Sequence, residues 1–100
     1  MKKRTEKAPE YQQFANVWDA VCDTPEEAAN LTARSELMMQ ITQIVKKSGW
    51  TQAEAAKRCR ITQPRMNDLL RGRISRFSLD ALVNIATALG RKVQLKLKAA

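Results

Sequence analysis

Gln63, Arg65, Asn67 and Asp68 interleave with Met66, Leu69 and Leu70 over eight positions of the chain. The three apolar residues fall at helical spacing and must face a core, which turns the four polar ones outward. Gln and Asn can pair with adenine, and Arg with the two acceptors of guanine, in the major groove of a duplex. A helix presenting this set could therefore read base edges. A second set suits the sugar-phosphate backbone: Gln52 and Thr62 on one side of that helix, and Arg71, Arg73 and Arg76 beyond its end. Such contacts hold register without carrying sequence information.

Positioning these side chains requires two short helices meeting across a tight corner, and the run TQAEAAKRCRITQPRMNDLLRG from Thr51 to Gly72 predicts both. Thr51 and Glu54 have the spacing of a reciprocal capping box, so the first helix starts at Thr51. Ala53, Ala55 and Ala56 keep it slim, so another helix can cross closely, while Cys59 and Ile61 supply apolar contacts at the corner. The second start follows at once. Ile61 precedes the cap, Thr62 is the cap, Pro64 lies in the first turn where its missing amide costs nothing, and Met66 can staple back onto Ile61. This helix is expected to run from Gln63 to about Arg71.

The segment TQAEAAKRCRITQPRMNDLLRGRISRFSLDALVNIATALG resembles the repressor-type helix-turn-helix family of the XRE class, and within it the HigA-type antitoxins. The resemblance covers residues 37 to 98 or so. Its most specific part is Thr62 to Asp80, with TQ, Pro, Arg, then LLRGR, a phenylalanine and SLD. One departure is local: the family usually has glycine at the turn, and this chain has Arg60. A left-handed backbone there would cost on the order of 1 kcal/mol. The resemblance implies a DNA-binding repressor that needs no cofactor, and an antitoxin that binds a small RNA-cleaving toxin and represses its own operon.

Charge agrees with a polyanion partner. The 100 residues carry a net charge of +8, but residues 1–36 hold five basic and seven acidic groups, against thirteen and three in residues 37–100. The second part is thus strongly cationic and the first slightly acidic. A membrane surface is the rival polyanion. No basic amphipathic helix with bulky exposed apolar residues is evident, however, and no apolar run is long enough to span a bilayer.

The absence of histidine removes Ser-His and Cys-His nucleophile pairs, the HExxH pattern and mixed Cys/His zinc sites. The carboxylates scatter along the chain and three glycines build no phosphate loop, so no catalytic residues, metal ligands or cofactor are expected. MKKRTEKAPE has the charge of a signal peptide without its apolar region. With Cys22 and Cys59 read as reduced thiols, and Cys59 as a buried structural one, the expected compartment is the cytoplasm.

Residues 1–23 are expected to form an arm, disordered at its start, with a short helix or turn in which Phe14, Val17, Trp18 and Val21 share a face. Phe14 and Trp18 either dock on the chain's own core or anchor a protein partner. The helix-turn-helix domain is expected over residues 24–100. Thr24-Pro25-Glu26-Glu27 starts a helix that reaches Gly49, either as one helix of 24 residues or so or as two with a break near Asn30 to Thr32. Another helix starts at Ser78 and ends at Gly90, with Phe77 stapled onto Leu82.

Val93, Leu95 and Leu97 then alternate with polar residues, the pattern of a half-buried strand that needs a partner, either upstream residues near Phe14 or the same segment of a second copy. Pairing with the same segment of a second copy would place two reading helices in successive major grooves of a palindromic operator. The expected fold is mainly α, a repressor-like helix-turn-helix bundle of four to five helices with a short C-terminal β-strand. The leading function is a sequence-specific, homodimeric DNA-binding repressor with a small basic toxin as possible partner. The alternatives are a stand-alone regulator, a protein-interaction module using the basic surface, and an RNA binder, for which five aromatics at core-like positions are few.

Overall fold

A hydroxyl opens four helices in turn. The side chains of Thr24, Thr51, Thr62 and Ser78 accept from the backbone N–H three residues on, at 3.1, 3.1, 3.3 and 3.1 Å. Each cap satisfies a donor that would otherwise have no partner in the first turn, and contributes about 1 kcal/mol. The computed structural model describes residues 7–99, with the side chains of the first helix from Gln12 onward. Its elements are α1 (Lys7–Val21), α2 (Pro25–Ser48), α3 (Gln52–Cys59), α4 (Gln63–Leu70), a 3-10 turn (Ile74–Arg76) and α5 (Leu79–Ala88).

Helix α2 is one unbroken helix of 24 residues. Thr32, at the break considered from sequence, is buried and donates its hydroxyl to the Ala28 carbonyl at 2.8 Å, so a polar group is satisfied without interrupting the helix. Gly49 ends α2 in the left-handed conformation, φ +73°. The arm is more ordered than a short turn: α1 is a 15-residue helix lying along α2. Of the first ten residues, expected to be disordered, 7–10 already belong to α1, and 1–6 fall outside the described residues.

The core gathers where α2, α3, α4 and α5 meet. Ile41 of α2, Met66 and Leu69 of α4, Phe77, and Leu82 and Ile85 of α5 are fully buried. Burial of side chains of this size contributes about 1.5–3 kcal/mol each. Phe77 and Leu82 are both in the core, consistent with the expected staple. Trp50 packs at the edge of the core, with the Arg58 guanidinium 4.9 Å from its ring centroid.

Two expectations are corrected. Thr51 caps α3, but Glu54 does not return the bond, because its carboxylate takes Arg58 one turn along at 2.8 Å. There is also no strand among the described residues. The segment after α5 has no regular element, with Val93 half-buried against the core, Leu95 80% exposed and Leu97 fully so. Alternation makes a strand only when a neighbouring strand takes its backbone hydrogen bonds, and this chain supplies none there.

Candidate nucleic-acid interface

The corner between α3 and α4 is built by Arg60. Its φ and ψ of +60° and +41° are left-handed, the only such non-glycine among the described residues. This conformation lets the Arg60 N–H reach the Lys57 carbonyl at 3.1 Å and the Ile61 N–H reach the Ala56 carbonyl at 3.0 Å. Those are the paired closing bonds of a Schellman cap. The chain reverses within two residues and α4 begins. Ala55 and Ala56, both buried, let the two helices approach closely. Gln52 at the start of α3 spans the pair, its amide donating to the Gln63 carbonyl at 3.4 Å.

Helix α4 buries Met66 and Leu69 and leaves Gln63 exposed, with Arg65 and Asn67 partly exposed. Gln63 and Asn67 are one turn apart and so lie on one side of the helix. Arg65 is held in place: its guanidinium carbon lies 4.5 Å from the Phe77 ring centroid, and one of its nitrogens donates to the Arg76 carbonyl at 3.4 Å. Arg71, Arg73 and Arg76 are exposed beyond the helix end. Thr62 is exposed, its oxygen engaged in capping α4. The structure thus brings Gln52, Thr62, Gln63, Arg65 and Asn67 around the first turns of α4, and the three arginines around its end.

Asp68 departs from expectation. The sequence placed it outward among the base-reading residues, but it is 9% exposed and its two oxygens take different arginines. Oδ2 lies 3.1 Å from Arg76 and Oδ1 lies 3.6 Å from Arg73. The turn after α4 folds back over this residue, with the Arg73 N–H also donating to the Asp68 carbonyl at 3.0 Å. A carboxylate enclosed by two guanidiniums is not free to meet a base.

Arg34 of α2, which sequence reasoning missed, donates to the Ile74 and Phe77 carbonyls at 3.4 and 3.1 Å and to the Asn30 side chain at 2.7 Å. It pins the loop that carries Arg73 and Arg76 to the scaffold. No local signal in the sequence marks it, because its partners lie some 40 residues away.

An open groove of about 490 Å³ runs between the corner and α5, lined in part by Arg60, Arg65, Asn84 and Thr87. No carboxylate lines it, so the basic surface continues beyond the first turn of α4. Burial raises the Cys59 thiol above its ordinary value, which keeps it neutral and apolar in the core.

Between α1 and α2, the Trp18 indole N–H donates to Ser35 at 3.0 Å, so the residue docks on its own chain. Phe14 is half-buried, and among the described side chains of α1 the large apolar ones left exposed are Val17 and Val21. The carboxylates of Glu27, Asp23 and Asp19 surround Cys22 and, after burial, raise its thiol. The described residues contain no grouping of His, Cys, Asp and Glu that could hold a metal, and no helix among them is long and apolar enough to cross a membrane.

Comparison with known families agrees with this geometry. A family model described as a helix-turn-helix domain matches residues 20–98, well over half of the chain. No curated protein matches it significantly.

Proposed function

The chain belongs to this helix-turn-helix family, and on that premise we propose that it is a sequence-specific DNA-binding repressor acting as a homodimer on a palindromic operator. One observation carries the proposal: α4 presents Gln63, Arg65 and Asn67 on a helix whose end is flanked by exposed Arg71, Arg73 and Arg76. The first group has the donor and acceptor forks that base edges require, and the second has the charge that phosphates require. Thr62 and Gln52, at the amino ends of α4 and α3, would add phosphate contacts where helix dipoles favour anions.

The exposed Leu95 and Leu97 support a dimer, since a second copy would cover them. Two α4 helices about 34 Å apart would then enter successive major grooves. Val93 would extend the same contact from its half-buried position. Occupancy of a promoter by such a dimer represses without cofactor, metal or catalysis, in the cytoplasm.

The antitoxin role is the finer part of the proposal. It is supported by the acidic end of the α1–α2 pair, where Asp19, Asp23 and Glu27 cluster beside exposed Val17 and Val21. That surface complements a small basic protein, and the partly exposed Phe14 and Trp18 of the same helix would add apolar contacts to it. A small basic protein encoded beside this chain should copurify with it through this surface; if reversing the charges of the exposed Asp19, Asp23 and Glu27 leaves copurification unchanged, that assignment fails.

Selection of bound duplexes from a random pool tests the central reading. An inverted repeat with half-sites about ten base pairs apart is expected. A pool that converges on no sequence would refute base reading by α4.

A further inference from the structure

We propose that Asp68 is a specificity residue that acts through Arg73 and Arg76, restraining the grip on DNA whose bases are not read. The inference rests on the DNA-binding function proposed above. Asp68 sits in the last turn of α4, between Asn67 of the reading set and the turn that carries the backbone-gripping arginines. Its carboxylate is mostly buried, so its two contacts are screened by solvent far less than exposed ion pairs. Arg76 at 3.1 Å and Arg73 at 3.6 Å take separate oxygens, and both arginine side chains stay about half exposed, at 55% and 41%. Each guanidinium has five N–H donors in a rigid fork, so a contact to Asp68 leaves others free for phosphate.

The pairing does two things at once. It subtracts one charge from a surface that would otherwise attract any duplex, and it holds two flexible side chains in one arrangement relative to α4. The tie continues into the reading face, because the Arg76 carbonyl accepts from Arg65. Arg34, pinning the same loop from α2, prevents it from drifting as a unit. Arginines held in this way meet phosphates in good geometry only when α4 is seated in register. Arginines released from Asp68 would follow any backbone.

The probes are the duplex that wild-type protein enriches from a random pool and a scrambled duplex of the same length and composition. Asp68→Asn should bind the scrambled duplex about threefold more tightly at moderate salt, the gain expected from about one further phosphate contact, with a steeper salt dependence. Its ratio of selected to scrambled affinity should fall by at least the same factor. In an Arg73→Gln, Arg76→Gln background most of that fall should vanish, because the residues through which Asp68 acts are gone.

An Asp68→Asn protein with the wild-type ratio overturns the proposal, as does an equal fall in both backgrounds or an equal weakening on both duplexes. Should Asp68→Asn fail to fold, Asp68→Glu, which keeps the charge, takes its place: the ratio should fall with scrambled-duplex affinity unchanged, and a wild-type ratio overturns the proposal. If wild-type protein itself binds both duplexes alike, base reading is refuted and the proposal falls with it.

Discussion

The guanidinium of Arg65 in α4 lies over the ring of Phe77, 4.5 Å from its centroid, although Phe77 lies beyond the 3-10 turn, in the connection to α5. Phe77 is fully buried in the core, so it offers a packed surface to a side chain that in solution would sample many rotamers. Phe77→Leu should therefore act twice. Core stability should fall by about 1–2 kcal/mol, seen as a lower urea midpoint. Base preference at the position read by Arg65 should also broaden in a duplex selection. An unchanged preference would mean that the stacking does not position Arg65.

Replacement of Gln63 or Arg65 with Ala should alter which base is preferred at one position of each half-site, at a cost of about 1–3 kcal/mol on the preferred duplex. Arg71→Ala should instead weaken all duplexes alike and reduce the slope of log affinity against log salt by about one contact. Binding titrations on selected and scrambled duplexes at several salt concentrations separate the two behaviours. If all three variants lose affinity uniformly, helix α4 does not read sequence.

Arg60 stores strain that glycine would release. The left-handed backbone places its Cβ close to the following carbonyl, at a cost of about 1 kcal/mol that glycine does not incur. Glycine loses more chain entropy on folding, which offsets part of the gain. Arg60→Gly should thus stabilise the chain by about 0.5 kcal/mol, a rise of a few degrees in Tm by calorimetry. A fall in Tm would show that the Arg60 side chain contributes more than its backbone costs.

What was legible in the sequence was local. Thr24, Thr51, Thr62 and Ser78 are caps because of what lies three residues on, and the Arg60 corner is set by residues from Ala56 to Thr62. Periodicity likewise sorted Met66 and Leu69 from Gln63. It failed at Asp68, since burial there depends on arginines that fold back from a later turn. Arg34 was invisible for the same reason, its partners being carbonyls at Ile74 and Phe77. Glu54 had two available partners, the Thr51 amide and Arg58, and spacing alone does not choose between them. The alternation from Val93 to Leu97 is real as a pattern, but a strand is a relation between two segments, and among the described residues no second one pairs with it.

That pattern leads to the last prediction. Leu95 and Leu97 are the exposed leucines of the tail, and they are the side chains that the proposed dimer would cover. If a second copy covers them, Leu95→Asp with Leu97→Asp places like charges at the contact and should yield a monomer by sedimentation. Stability of the fold within one chain should change little, because neither leucine contributes to the core. Each half-site should still be read with the same base preference, since α4 is untouched. Affinity for the full palindrome should fall by roughly a hundredfold or more, as the second half-site no longer binds at high effective concentration. A doubly substituted protein that remains dimeric, or that binds the palindrome as tightly as wild type, would place the two-fold contact elsewhere.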